Sequence, residues 1–220
     1  MKTIETIGVV GAGQQGRGIA QLAASNGIHV MLVDVDRATA EASRERMAQE
    51  VTRRAVRRRI SGADADRIVA LVRAEAELSA LADCDFVVEA VTEDVALKQR
   101  IFRDLDATLR PETIIASNTS SISLTKLAAA TRRPPRVIGL HFMHPVPAMK
   151  LVEIVRALQT SDAMPASACT RPTMRSASDP LMRRRTARLA TSCATRSRPI
   201  CARVRSTSTS FTWMPFVAAS

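Results

Sequence analysis

No stretch of the sequence approaches the roughly 18 consecutive apolar residues of a membrane-spanning helix, so no transmembrane span is expected. The N-terminus, MKTIETIGVVGAG, lacks the charged segment, long apolar stretch and cleavage site of a secretory leader. The cytoplasm is the expected location. Cysteine is sparse: Cys84, Cys169, Cys193 and Cys201 show no CxxC spacing and no histidine partners at metal-ligand intervals. That speaks against a zinc site and against a disulfide framework, and no metal is expected. Glycine, lysine and glutamate are missing altogether from residues 161–220.

What is present divides the chain in two. The 220 residues suffice for one or two domains, and 46% are apolar, ordinary for a globular protein. The net charge of +11 would suggest a nucleic-acid or membrane-surface partner if it were spread evenly. Residues 1–160 carry 22 Lys+Arg against 19 Asp+Glu, a net of +3. Residues 161–220 carry 10 Arg against 2 Asp, a net of +8. The excess therefore belongs to the last part of the chain, and nucleic acid is not the expected partner of the rest.

Strands and helices alternate over the first 160 residues. Thr6–Val10 reads as a strand, Gly11–Gly16 as a glycine turn, Arg17–Asn26 as a helix stopped by Gly27, and His29–Val33 as a second strand ending at Asp34. Arg37–Ile60 reads as a long charged helix broken by Gly62, and Asp64–Val72 as another helix. Strands follow at Phe86–Val91, Thr113–Ser117, Arg136–Phe142 and Leu151–Val155, with helices over Val95–Leu109 and Leu124–Ala130. This order predicts a Rossmann-like, doubly wound parallel α/β sheet. The domain boundary is expected at residue 162. Residues 163–220 hold an Arg-, Ser- and Thr-rich segment with no sustained periodicity outside the last ten residues.

GAGQQG supplies the first chemical motif, with Gly11, Gly13 and Gly16. The first glycine makes a tight turn, the second lets backbone approach a pyrophosphate, and the third lets helix and strand pack closely. The helix N-terminus then faces the phosphates with free amides. A lone GxGxxG is weak evidence, because glycines also make ordinary turns. Here it follows a strand, opens a helix and precedes an acid at the next strand end, Asp34. A carboxylate there accepts ribose hydroxyls and repels a 2′-phosphate, which favours NAD over NADP.

The second motif is GLHFMHPVPAMKLVEI, with His141, His144 and Glu153. A dehydrogenase needs a group that takes the hydroxyl proton as hydride leaves, and imidazole titrates in the right range. A carboxylate paired to that imidazole fixes its tautomer. Spacing alone does not separate this from a structural histidine near a strand end.

Four segments in order, GAGQQGRGIA, VVEAVTED, SNTSS and GLHFMHPVP with KLVEIV, resemble the NAD-binding domain of the 3-hydroxyacyl-CoA dehydrogenases, which include bacterial 3-hydroxybutyryl-CoA dehydrogenases. The resemblance spans about residues 4–162. It implies NAD-dependent oxidation of an (S)-3-hydroxyacyl-CoA to the 3-ketoacyl-CoA, and a homodimer in the family. By this resemblance His141 is the base and Glu153 its paired acid. Ser120 bonds the reacting oxygen, Asn118 lies near the nicotinamide, and Glu93 and Lys98 lie close to the cofactor ribose and substrate. Ser120 and Asn118 also fit a plain helix N-cap. Gln15 stands where the family has Met, a packing change of little expected consequence, and His144 stands where Asn is common.

A basic run, RRAVRRR, closes the long helix. A solvated helix face is one reading. Arginine is also a good phosphate fork, and coenzyme A carries three phosphates. By resemblance this helix lies against the CoA moiety, which makes Arg54 and Arg57 the candidates.

In the family a helical second domain follows, opening with a stretch like DSPGF and then an Asn that contacts substrate. Neither occurs after residue 160. The composition there is that of a GC-rich gene read out of frame, and a frame shift after Asp162 is the expectation. A disordered basic tail that binds RNA or an acidic surface is the alternative. The competing functional readings are a non-catalytic NAD-binding remnant and a relative acting on a non-CoA hydroxy acid. The dimer is not expected to survive the loss of the second domain.

Overall fold

The computed structural model describes residues 4–149, 151–161 and 211–215. The expected unstructured basic segment over 163–220, with its frame shift after Asp162, lies outside the described residues except for 211–215, which form a strand.

Eight strands form one sheet in the order β3-β2-β1-β4-β5-β6-β7-β8. They are β1 (Thr6–Val10), β2 (His29–Val33), β3 (Val72–Glu75), β4 (Phe86–Glu89), β5 (Ile114–Ser117), β6 (Val137–Phe142), β7 (Leu151–Arg156) and β8 (Phe211–Pro215). β1 to β6 are parallel, while β7 pairs antiparallel with β6 and β8 antiparallel with β7. The helices are α1 (Gln14–Ser25), α2 (Arg37–Val56), α3 (Gly62–Ala70), α4 (Val95–Thr108) and α5 (Leu124–Ala128).

The central strands read as unbroken apolar runs because both sheet faces are covered. Val9, Val88, Ala116 and Ile138 point into one core with Ile19 of α1 and Met47 of α2. Their chain neighbours Val10, Val87, Ile115 and Val137 point into the other, with Phe102 and Leu105 of α4 and Leu127 of α5. The switch from face to face at each residue is the strand's period of two.

The structure departs from the sequence reading in several places, among them the start of α1, which lies at Gln14 inside the segment read as a glycine turn. β7 is antiparallel, because residues 143–150 are too few for a parallel crossover of a dozen or more residues. α2 ends at Val56, short of Ile60, and Arg58 takes a positive φ of 52° in the turn that follows. Gly62 starts α3 as well as ending the turn, because Ser61 caps the helix by accepting from the Asp64 amide. β3 has no counterpart in the sequence reading, which carries a helix through Val72 and assigns nothing to residues 73–75; four residues are too short for periodicity to announce.

Candidate active site

Strand order reverses between β1 and β4, and the chain ends of these strands border the crevice where open α/β sheets take ligands. Gly11 leaves β1 with a φ of +97°, a backbone conformation that side chains strain to reach. A Cβ there would lie 2.8 Å from the Ala90 carbonyl oxygen beyond β4. At Gly16 a Cβ would lie 1.7 Å from the Gly11 carbonyl oxygen, so the loop and α1 could not close together. Gly13 differs. Its φ is −62°, and a Cβ there would meet nothing within 4 Å. None of the described residues requires this glycine, whereas a diphosphate lying on the α1 amides would. The loop therefore fits a dinucleotide.

Asp34, at the end of β2, accepts from the Ala12 amide through Oδ2 and from the Val35 amide through Oδ1. A carboxylate has about four acceptor positions, so both oxygens can still take hydroxyl donors. Ser43 of α2 donates to the Ala12 carbonyl at 2.6 Å, and Arg17 of α1 pairs with Glu50 of α2 at 3.5 Å. These contacts carry α2 across the glycine loop. Arg37 pairs with Glu75 at 3.8 Å.

His141 and Glu153 face each other across the β6/β7 ladder, with Nδ1 3.2 Å from Oε2. Their side chains are 24% and 17% exposed. Nε2 has no partner among the described residues and is the ring nitrogen left for chemistry. His144 takes a different place: its Nε2 lies 3.3 Å from Nε2 of Gln14, the first residue of α1, while Val146 packs against Gly18. The two histidines thus do not compete for Glu153. Asn118, just past β5, accepts from the Phe142 amide at 2.8 Å, beside His141. Ser120 is exposed two residues on, and its amide donates to Glu93 at 3.0 Å. Burial raises the Glu93 carboxyl, but the Ser120 amide, the Thr119 hydroxyl and the Lys98 ammonium outweigh it and hold the group below the usual carboxylate range.

Lys98, on α4, is buried. Its side chain is 1% exposed, and Nζ lies 2.6 Å from Glu89 Oε1, 3.2 Å from the Val91 carbonyl and 3.6 Å from Glu93 Oε2. The sequence reading passed over Glu89. The signal was there: an acid inside the apolar strand FVVEAV must find a cationic partner when both sheet faces are covered.

Arg54 is half-buried and Arg57 exposed, one turn and nearly two beyond Glu50. Neither has an ion pair among the described residues. No group of three or more His, Cys, Asp or Glu able to hold a metal occurs among the described residues, and none of their helices is long and apolar enough to cross a membrane.

Residues 6–172 match the family model described as 3-hydroxyacyl-CoA dehydrogenase, NAD binding domain. A 3-hydroxybutyryl-CoA dehydrogenase of Bradyrhizobium diazoefficiens is 44% identical over 160 residues, 73% of this chain and 55% of that one. One of Mycobacterium tuberculosis is 43% identical over 164 residues, 74% of this chain and 57% of that one. The crystal structure of the (S)-3-hydroxybutyryl-CoA dehydrogenase of Ralstonia eutropha superposes with a TM-score of 0.74 at 42% identity, covering 76% of this chain and 59% of that one. The chain thus spans a little over half the length of the curated relatives it matches.

Proposed function

Since the chain belongs to the 3-hydroxyacyl-CoA dehydrogenase family through its NAD-binding domain, we propose that it serves the reversible oxidation of an (S)-3-hydroxyacyl-CoA to the 3-ketoacyl-CoA. The observation that carries this reading is the His141–Glu153 pair, two residue types suited to proton transfer, held 3.2 Å apart at the end of β6. Bound NAD supplies the hydride acceptor.

The chain's own residues do the rest. Glu153 holds the His141 ring by Nδ1, which leaves Nε2 to take the substrate hydroxyl proton. Ser120 donates to the reacting oxygen from the exposed loop after β5. Asn118 lines the nicotinamide end and, through the Phe142 amide, ties that loop to the strand carrying His141. Gly11, Gly13 and Gly16 cradle the diphosphate, and Asp34 accepts the ribose hydroxyls. Glu93 and Lys98 border the cofactor ribose. Arg54 and Arg57, with no ion pair among the described residues, are offered to the phosphates of the acyl-CoA substrate. We take residues 1–162 as the dinucleotide-binding domain and residues 163–220 as a segment apart from it, save for 211–215, which add β8 to its sheet. A cytoplasmic enzyme without a nucleic-acid partner is the setting this reading implies.

The partial span of the relatives favours a second reading, an NAD-binding unit that turns over poorly. Following NADH absorbance with acetoacetyl-CoA, beside a titration of NADH binding, separates the two. Consumption of NADH that His141→Ala abolishes, with NADH binding retained, is the result expected of the dehydrogenase. Binding without consumption leaves the second reading.

A further inference from the structure

The buried stripe of α2 consists of Ala40, Ser43, Met47 and Val51, and Ser43 alone among them is polar. Ser43 is 4% exposed. A hydroxyl inside a helix commonly turns back on a carbonyl of its own preceding turn or faces water. This one leaves its helix. It donates to the Ala12 carbonyl at 2.6 Å, 31 residues away in the glycine loop. Alanine at this position would form the helix better and bring no polar group into the core. Helix formation and core packing therefore do not account for Ser43.

The contact fixes the orientation of one peptide plane. In a trans peptide the C=O and the N–H point in opposite directions. With the Ala12 carbonyl held toward α2, the Gly13 N–H is turned away from α2. That N–H has no acceptor among the described residues. The planes on either side are anchored by other groups. The Ala12 N–H donates to Asp34 at the end of β2, and the Gly13 carbonyl accepts from the Arg17 amide as α1 begins. The middle plane is the one most free to turn over, because Gly13 has no Cβ to bar other values of φ. Turned over, it would present a carbonyl where a diphosphate needs donors. A glycine that lets a ligand approach thus leaves its own peptide unspecified, and the Ser43 hydroxyl specifies it.

We propose that Ser43 is a positioning residue for the dinucleotide: a lock on the Ala12–Gly13 peptide that keeps its N–H, and not its carbonyl, on the ligand side of the glycine loop. The proposal rests on the NAD-binding reading for what occupies that side. Replacing Ser43 with Ala removes the lock and leaves the Ala12 carbonyl without its donor. Replacing it with Thr keeps the hydroxyl.

The test uses the full chain and measures binding of NADH, ADP and adenosine beside hydrogen exchange of the free protein. Ser43→Ala is expected to weaken NADH and ADP about tenfold, the size of one hydrogen bond to a charged group. Adenosine offers Asp34 the same ribose but carries no phosphate, and its affinity is expected to stay within about twofold. Without ligand, exchange at the Ala12 amide is expected to speed about tenfold in Ser43→Ala, while exchange in β5 stays unchanged. Ser43→Thr is expected to recover most of both losses. Ser43→Cys keeps the volume but donates weakly, so it is expected to move in the same direction as Ser43→Ala and serves if that variant does not fold. A serine that merely supports the helix would lower the melting temperature and leave the NADH affinity of the folded chain unchanged. That result would overturn the proposal. An equal loss for adenosine and ADP would overturn it too, because the effect would then lie at the ribose. Should the unaltered chain not bind NADH, the NAD-binding reading fails, while exchange at Ala12 still judges whether Ser43 holds the peptide.

Discussion

Gly13 and Gly16 stand three residues apart in one loop, yet they lack side chains for different reasons. At Gly16 a Cβ would collide with backbone, the Gly11 carbonyl 1.7 Å away, and backbone cannot rotate aside. Gly16→Ala should cost about 3 kcal/mol or more of stability, at or beyond the upper end of ordinary overpacking. Gly13→Ala meets no atom of the chain and keeps an allowed φ. It should leave the melting temperature nearly unchanged and weaken NAD binding about tenfold or more, as expected where a ligand lies against backbone. Thermal melts and calorimetric titration of both variants check the contrast. Equal effects on NAD binding and on melting in Gly13→Ala would refute it. Gln15, in the same loop, is less innocuous than its place in the motif suggests. Its Oε1 is buried and has no hydrogen-bond donor among the described residues. An unsatisfied buried acceptor costs about 1–3 kcal/mol, so Gln15→Met should raise stability by about 1 kcal/mol in urea unfolding of the free chain. A variant no more stable than the unaltered chain would show that the acceptor is satisfied after all.

Between elements, α4 is bound to the segment that leads into β6 by Asp106. This buried carboxylate accepts from the Arg132 amide at 2.9 Å, from Arg132 Nε at 3.0 Å and from Arg133 Nε at 2.7 Å. Burial pushes its carboxyl up, but the Arg132 amide and the two guanidinium groups outweigh that and hold it below the usual carboxylate range. A depressed folded value means that the contact stabilises fully above the unfolded value, about 3.9, and that this stability is lost as pH falls through the folded one. Asp106→Asn should therefore be less stable than the unaltered chain at pH 7, and the gap should narrow below about pH 4. Urea unfolding of both at pH 7 and pH 3 measures this, and a gap of constant size would disprove it. Elsewhere in the fold, Cys84 shows how an element hides a reactive group: burial, with the charge of Asp85 beside it, pushes its thiol up to about 12.

Over the whole molecule, the matched region equals only 55% of the Bradyrhizobium enzyme. His141 and Glu153 are partly open, and Met149 and Leu158 nearby in sequence are exposed at 43% and 67%. Proton transfer contributes about 100- to 10,000-fold to a rate, but only when the thioester is held in place and kept from water. A chimera in which the remainder of that relative follows residue 162 should reduce acetoacetyl-CoA about 100-fold or more faster than the 220-residue chain, with NADH affinity within a few-fold. The assay is NADH consumption at matched protein concentration. Comparable rates would mean that the chain as it stands already encloses its substrate.

The glycine spacing, the turn from β1 into α1 and the acid at the end of β2 were all legible in the sequence, because each is set by residues close together along the chain. So was the alternation of strands and helices, which follows from local periodicity. The resemblance to a dehydrogenase family likewise rests on ordered local motifs. The pairing of His141 with Glu153 was suspected from residue type, but only the antiparallel turn of β7 puts the two opposite each other. The burial of Lys98, its choice as the partner of Glu89 and the open space over Gly13 were decided by tertiary structure alone. Burial and register depend on which distant segments cover a residue, and no window of sequence contains that information.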